Sequence, residues 1–303
     1  MARPKLELVE VSPRDGLQNE PELVSTAVKL SLIERILAAG FRRLEAGSFV
    51  NPKKVPQMAD SPEVFAGLPR REDAVFIALA LNRKGVARAI AAGAEEINYV
   101  FCASDEFSVR NNGGTVAETL AVWPDVVADA KAAGVRIAAV ISTAFGCPFE
   151  GEVPISRVVE IAERIAQHAP FELSLADTIG VASPRDVVAR FAAVGAIMPP
   201  QVQLRAHFHN TRNTALANAV AAVECGVAII DGSLAGIGGC PFAPGAAGNV
   251  PTEDLVYMFE RMGFDTGVDL DAAIAAARFI GEALGKPTPG MVSRAGGFPK
   301  ARA

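Results

Sequence analysis

A chain of 303 residues, 50% of them hydrophobic, has ample material for one large α/β core or two ordinary ones, which excludes a disordered protein. Its net charge of -5 comes from signs mixed along the chain with no basic run, which argues against a nucleic-acid surface and for a small-molecule partner. No apolar stretch reaches the roughly 20 residues that span a bilayer, the first residues lack the apolar core of a secretory signal, and Cys102, Cys147, Cys225 and Cys240 make no Cys-x-x-Cys pair, so the expectation is a cytoplasmic protein with no membrane partner and with reduced thiols.

In chain order, β-rich runs at 6–11, 43–48, 75–81, 97–102, 136–142, 172–176, 203–208 and 229–233 alternate with helical patterns, among them 23–39, 116–133, 155–168, 184–198 and 215–225. Several of these helices close on a glycine, such as Gly40, Gly134 or Gly226. Eight strand-helix units predict an α/β fold of the TIM (β/α)8 type. An open doubly wound sheet is the alternative, but its first turn normally reads Gly-x-Gly-x-x-Gly, where this chain has Ser12-Pro13-Arg14-Asp15-Gly16. A further helix at 271–284 is expected to pack outside the barrel. Residues 1–285 would form the catalytic domain with this C-terminal helix, and 286–303, rich in Pro, Gly and basic residues, a loosely held tail.

Catalytic groups of a TIM barrel come from the C-terminal ends of its strands, and these ends are polar here. Strand one ends at Arg14-Asp15, strand two carries Glu45 and Ser48, strand six offers Ser174 and Asp177, and strand seven supplies His207 and His209. A long glycine-rich loop, 236–249, follows strand eight. Two of the three histidines stand one residue apart, and side chains alternate faces along a strand, so His207 and His209 point the same way and can share a cation. Alone, Asp15 suits a turn before Gly16, and Asn249 suits a helix cap before Pro251. Gathered at one barrel mouth, Asp15, His207, His209 and Asn249 make a mixed N/O set suited to Mg2+, Mn2+, Zn2+ or a similar ion.

The segment Val11-Ser12-Pro13-Arg14-Asp15-Gly16-Leu17-Gln18-Asn19-Glu20 resembles the Arg-Asp motif of the metal-dependent lyase and Claisen-condensing TIM barrels. With Glu45-Ala46-Gly47-Ser48-Phe49-Val50, Ser174-Leu175-Ala176-Asp177-Thr178-Ile179-Gly180 and Gly238-Gly239-Cys240-Pro241-Phe242-Ala243 followed by Gly248-Asn249, it resembles the hydroxymethylglutaryl-CoA lyase family. That resemblance implies cleavage of hydroxymethylglutaryl-CoA to acetoacetate and acetyl-CoA, with Mg2+ or Mn2+ held by Asp15, His207, His209 and Asn249. It implies that Arg14 stabilises charge on the thioester oxygen, that Cys240 transfers a proton, and that Glu45, Asp177 and Glu253 are acidic groups of the catalytic set. Gln18, Ser48 and Ser174 are assigned to substrate binding, Arg110 and Asn111 to the CoA nucleotide, and the chain to a homodimer.

The family pattern His-x-His-Asp-Thr followed by Tyr-Gly-Gln departs here to His207-Phe208-His209-Asn210-Thr211-Arg212-Asn213-Thr214. The expectation is that Asn210 and Arg212 retune selectivity for the acyl group while leaving the metal chemistry intact. A lyase for citramalyl-CoA or an isoprenoid-derived thioester is therefore the runner-up. A synthase joining acetyl-CoA to a 2-oxo acid and a non-catalytic scaffold are the remaining alternatives.

Overall fold

In the computed structural model, which describes residues 3–239 and 248–299, eight short strands pair in parallel and close on themselves. They are β1 (Glu7–Glu10), β2 (Arg43–Ser48), β3 (Val75–Ala80), β4 (Glu96–Cys102), β5 (Arg136–Ser142), β6 (Glu172–Asp177), β7 (Gln203–Phe208) and β8 (Ile229–Gly232). The ring is sealed between β1 and β8, where Glu7 lies opposite Ile229 and Glu10 opposite Gly232. This is the expected TIM barrel.

Around it run α1 (Thr26–Ala38), α2 (Ser61–Gly67), α3 (Arg83–Ala91), α4 (Asp105–Asn112), α5 (Val116–Ala132), α6 (Ile155–Ala166), α7 (Pro184–Gly195), α8 (Ala215–Glu224), α9 (Thr252–Arg261), α10 (Leu270–Leu284) and α11 (Val292–Ala295). Local chemistry places their starts. Ser25 accepts from the Val28 amide and so begins α1 three residues later than hydrophobic periodicity indicates. Thr115 with Glu118, and Ser183 with Asp186, form reciprocal capping boxes at α5 and α7. Among the described residues no helix is long and apolar enough to cross a membrane.

The apolar core is divided by the barrel wall. The large cluster lies between strands and helices and includes Leu32, Ile36, Phe101, Trp123 and Phe259, whereas a small one, Val9, Val11, Ile77 and Ile229, is separate from it. Much of the remaining lumen is ionic. Arg43 on β2 donates to Glu172 on β6 at 2.8 and 2.9 Å, and these strands are not neighbours, so the bonds cross the barrel interior.

Residues 286–299, expected as part of a loose tail, carry specific contacts instead. Asp254 accepts from the Met291 and Val292 amides at 3.1 and 2.7 Å, Arg278 donates to the Ser293 carbonyl at 2.8 Å, and Lys286 pairs with buried Glu20. A carboxylate at a helix start satisfies amides that the short α11 leaves open, which is why a Pro/Gly-rich composition still docks.

Candidate active site

After β1 the chain makes a single π-type helical turn, Ser12–Gly16, that turns Arg14 and Asp15 into the barrel mouth. The turn packs tightly under the β8 loop: a Cβ on Gly16 would stand 2.6 Å from Ser233 Oγ and 2.8 Å from Ile237. Only glycine permits that approach. Gly238 has φ +102°, and a Cβ there would stand 2.6 Å from the Asn249 amide nitrogen.

Asp15, His207 and His209, all buried, converge so that one ligand atom from each lies within 4.8 Å of the others. Asp15 Oδ2 is 3.8 Å from His207 Nε2 and 3.6 Å from His209 Nε2. This is a spacing that one divalent cation bridges, and an O/N/N donor set suits a hard or borderline ion. Burial pushes the Asp15 carboxyl up, but Arg14 and the two imidazoles override it and hold it well below the usual carboxylate range. Burial pushes the His207 imidazole down, and Asp231 with Asp15 more than reverses this, so the net shift is upward.

Asn249 reaches the same point. Its Nδ2 donates to Asp15 Oδ2 at 2.8 Å and to the Ile237 carbonyl at 3.2 Å, and its backbone bridges to His209. Arg14 lies alongside, donating to Asp15 Oδ1 at 2.5 Å and to Glu45 Oε2 at 2.6 Å; the other Glu45 oxygen accepts from Asn98 at 2.6 Å. A buried guanidinium bridging two carboxylates is held rigidly, since losing either partner would strand a charge.

These groups open on a cavity of 480 Å3, whose lining includes Gln18, Lys54, Leu79, Arg110, Asn111 and His209. Arg110 stacks over Phe149 at 4.1 Å and pairs with Glu106, and Asn111 donates to Asn112, which places both at the rim. Other residues singled out from the sequence stand apart. Asp177 turns its carboxylate to the Val181 and Ala182 amides at 2.9 and 3.0 Å, fastening the loop after β6. Glu253 is buried behind the β8 loop, accepting from the Ala235 amide at 2.9 Å, and does not line the cavity. Ser48 and Ser174 are buried in β2 and β6, and neither lines the cavity. Cys240 lies outside the described residues.

The rim expectation needs correcting. Arg212 donates to the carbonyls of Ile179 and Gly180, both at 3.0 Å, and neither it nor Asn210 lines the cavity. The carbonyls of the loop after β6 take up the guanidinium and hold it away from the cavity. Asn98, Arg205 and Asp231, which do line the cavity, were not picked out from the sequence. The available signal is a polar or charged residue at an inward, period-two position of an otherwise apolar strand: Arg205 stands two before His207.

The profile of the HMGL-like family matches residues 5–280. The chain belongs to the HMGL-like family. It is 41% identical over 285 residues to the hydroxymethylglutaryl-CoA lyase of Bacillus subtilis (strain 168), covering 94% of this chain and 95% of that protein. It is 43% identical over 299 residues to the (R)-citramalyl-CoA lyase of Chloroflexus aurantiacus, covering 95% and 94%. Among solved structures, an Acinetobacter baumannii HMG-CoA lyase in complex with coenzyme A and 3-methylmalate superposes with a TM-score of 0.93 at 41% identity, covering 99% of this chain and 97% of that one. These relatives are carbon-carbon lyases, and in this chain the Arg14-Asp15 turn and the two histidines line one cavity.

Proposed function

We propose that this protein is a divalent-metal-dependent acyl-CoA lyase that cleaves hydroxymethylglutaryl-CoA to acetoacetate and acetyl-CoA. The observation that carries the reading is the convergence of Asp15, His207 and His209 beside the Arg14–Glu45 pair at the mouth of one cavity. Asp15, His207 and His209, with Asn249 as fourth partner, are the residues that would hold Mg2+ or Mn2+. Bound there, such an ion would supply Lewis acidity that eases loss of the substrate's hydroxyl proton.

The reaction removes the hydroxyl proton, breaks the C2–C3 bond and leaves the C3 oxygen as the ketone of acetoacetate. The bonding electrons pass to the thioester fragment as an enolate, and a proton added at C2 completes acetyl-CoA. Arg14 is placed to stabilise that enolate oxygen: its guanidinium is always charged, is fixed by Glu45, and needs no reorganisation as charge develops. Glu45 acts by holding Arg14, Asn98 by holding Glu45, and Asp177 by holding the β6 loop. Cys240 is assigned the proton delivered to C2. Arg110 and Asn111 at the rim are assigned to the nucleotide of CoA.

A second substrate is favoured by the 43% identity to a citramalyl-CoA lyase, which is on a par with the 41% and 43% to the Bacillus subtilis and Arabidopsis thaliana hydroxymethylglutaryl-CoA lyases. Both thioesters share the tertiary hydroxyl and the same bond to be broken. Purified protein supplied with Mn2+ should release acetyl-CoA from hydroxymethylglutaryl-CoA with kcat/KM at least tenfold above that for citramalyl-CoA. The reverse ranking would transfer the assignment to citramalyl-CoA, and release that survives both EDTA and His207→Ala would sink the metal mechanism.

A further inference from the structure

Behind the proposed metal site runs a line of buried charges. His207 Nδ1 lies 3.1 Å from Asp231 Oδ2, the other Asp231 oxygen is 3.4 Å from Arg205 Nε, and Arg205 Nη1 is 3.0 Å from Glu172 Oε1. Glu172 is held in turn by Arg43, which also grips Glu96. Arg205 is 1% exposed, and it sits two residues before His207 on β7, so the strand pleat directs both side chains into the lumen.

A histidine that binds a cation through Nε2 keeps its proton on Nδ1, and the acceptor of that proton sets the ring's orientation and basicity. Here the acceptor is Asp231, whose second oxygen would be an unpaired buried charge without Arg205. Arg205 is held by charge rather than by hydrogen bonds, between Asp231 on one side and Glu172 on the other, and Glu172 is itself fixed by two bonds from the opposite wall.

We infer that Arg205 is a positioning residue for the metal site: through Asp231 it fixes the His207 ring with Nε2 toward Asp15, so that the ionic layer across the barrel sets the affinity for the cation. The inference rests on the metal reading given above, and it concerns affinity before any substrate is bound. It also separates Arg205 from a direct role toward substrate, even though the residue lines the cavity floor.

The test is Mn2+ binding to the full chain, read by the electron paramagnetic resonance signal of free Mn2+ in the absence of thioester. Arg205→Met and Asp231→Asn should each weaken Mn2+ by roughly ten- to a hundredfold, the range for partners that orient a ligating histidine. The double variant should be no weaker than Asp231→Asn alone, because Arg205 acts through Asp231. Arg205→Lys keeps the charge and the fold but loses the guanidinium fork, and should weaken Mn2+ by at least threefold with an unchanged circular dichroism melt. A folded Arg205→Met or Arg205→Lys that binds within twofold of the parent, or losses that multiply in the double variant, would overturn the inference. A parent that binds no Mn2+ would instead remove the metal reading on which it stands.

Discussion

Glu253 offers the sharpest quantitative test of how this chain folds around its site. It is fully buried beneath the β8 loop, and Gly290 approaches so closely that a Cβ there would stand 2.0 Å from Glu253 Oε1. Desolvation raises its carboxyl from 4.5 to about 8, with Asp254 and Glu10 adding to the rise. A carboxyl whose folded value lies above its unfolded one binds a proton more tightly when folded. Its contribution is fully present below about 4.5 and is lost as pH climbs toward 8. Between pH 5.5 and 7.5 the folded state keeps nearly one proton that the unfolded state releases. At about 1.4 kcal/mol per pH unit, that costs about 2–3 kcal/mol of stability over the interval. Glu253→Gln preserves the shape and the acceptor for the Ala235 amide but carries no ionisation. Urea unfolding followed by circular dichroism at pH 5.5, 6.5 and 7.5 should show the parent losing more stability than the variant by that amount. Parallel pH profiles for the two proteins would refute the assignment of a protonated, buried Glu253. Glu10, raised to about 7 chiefly by burial, should leave a residual slope in the variant.

Further expectations concern the site itself. Asp15→Asn should abolish Mn2+ binding and acetyl-CoA release together, as measured by titration and thiol assay, because it removes the carboxylate charge that stands 3.8 and 3.6 Å from the two Nε2 atoms. Glu45→Gln should lower kcat by about a hundred- to a thousandfold, since it loosens a preorganised charge rather than a ground-state contact; an unchanged kcat would remove Arg14 from the reaction. Mn2+ affinity should weaken toward acid by up to about tenfold per pH unit below the raised value of His207, because the ion must displace a proton that Asp231 and Asp15 stabilise. Arg212→Ala should cost about 1 kcal/mol of stability through two lost carbonyl contacts while leaving the ratio of kcat/KM between thioesters within twofold. A changed ratio would return Arg212 to the acyl pocket.

What was legible in the sequence and what was not divides along a physical line. The eight strands and the longer helices are written in local periodicity, and every strand run overlaps an observed strand because the outward faces of the strands pack apolar side chains against the helices. The helices α2, α3, α4, α9 and α11 were not delimited, being only four to ten residues long. His207 and His209 were legible because a spacing of two on a strand is itself a geometry, and Asp15 because its turn replaces a recognisable alternative. Asp177 and Glu253 were read as acids of the catalytic set, yet one carboxylate is spent on two backbone amides and the other is packed behind the loop. A carboxylate's partner is chosen by whichever unsatisfied donor the fold brings nearest, and no local pattern encodes that.

The sequence by itself determined the barrel, the two-histidine face and the polar mouth, since each follows from periodicity or spacing within a few residues. Only the tertiary structure decided that the lumen beneath is ionic, that Asp231 on β8 meets a histidine on β7, and that Arg212 faces a loop instead of the cavity. These outcomes depend on how closing the sheet sets one strand's residues against those of strands far along the chain, and that register is a property of the closed ring rather than of any segment in it.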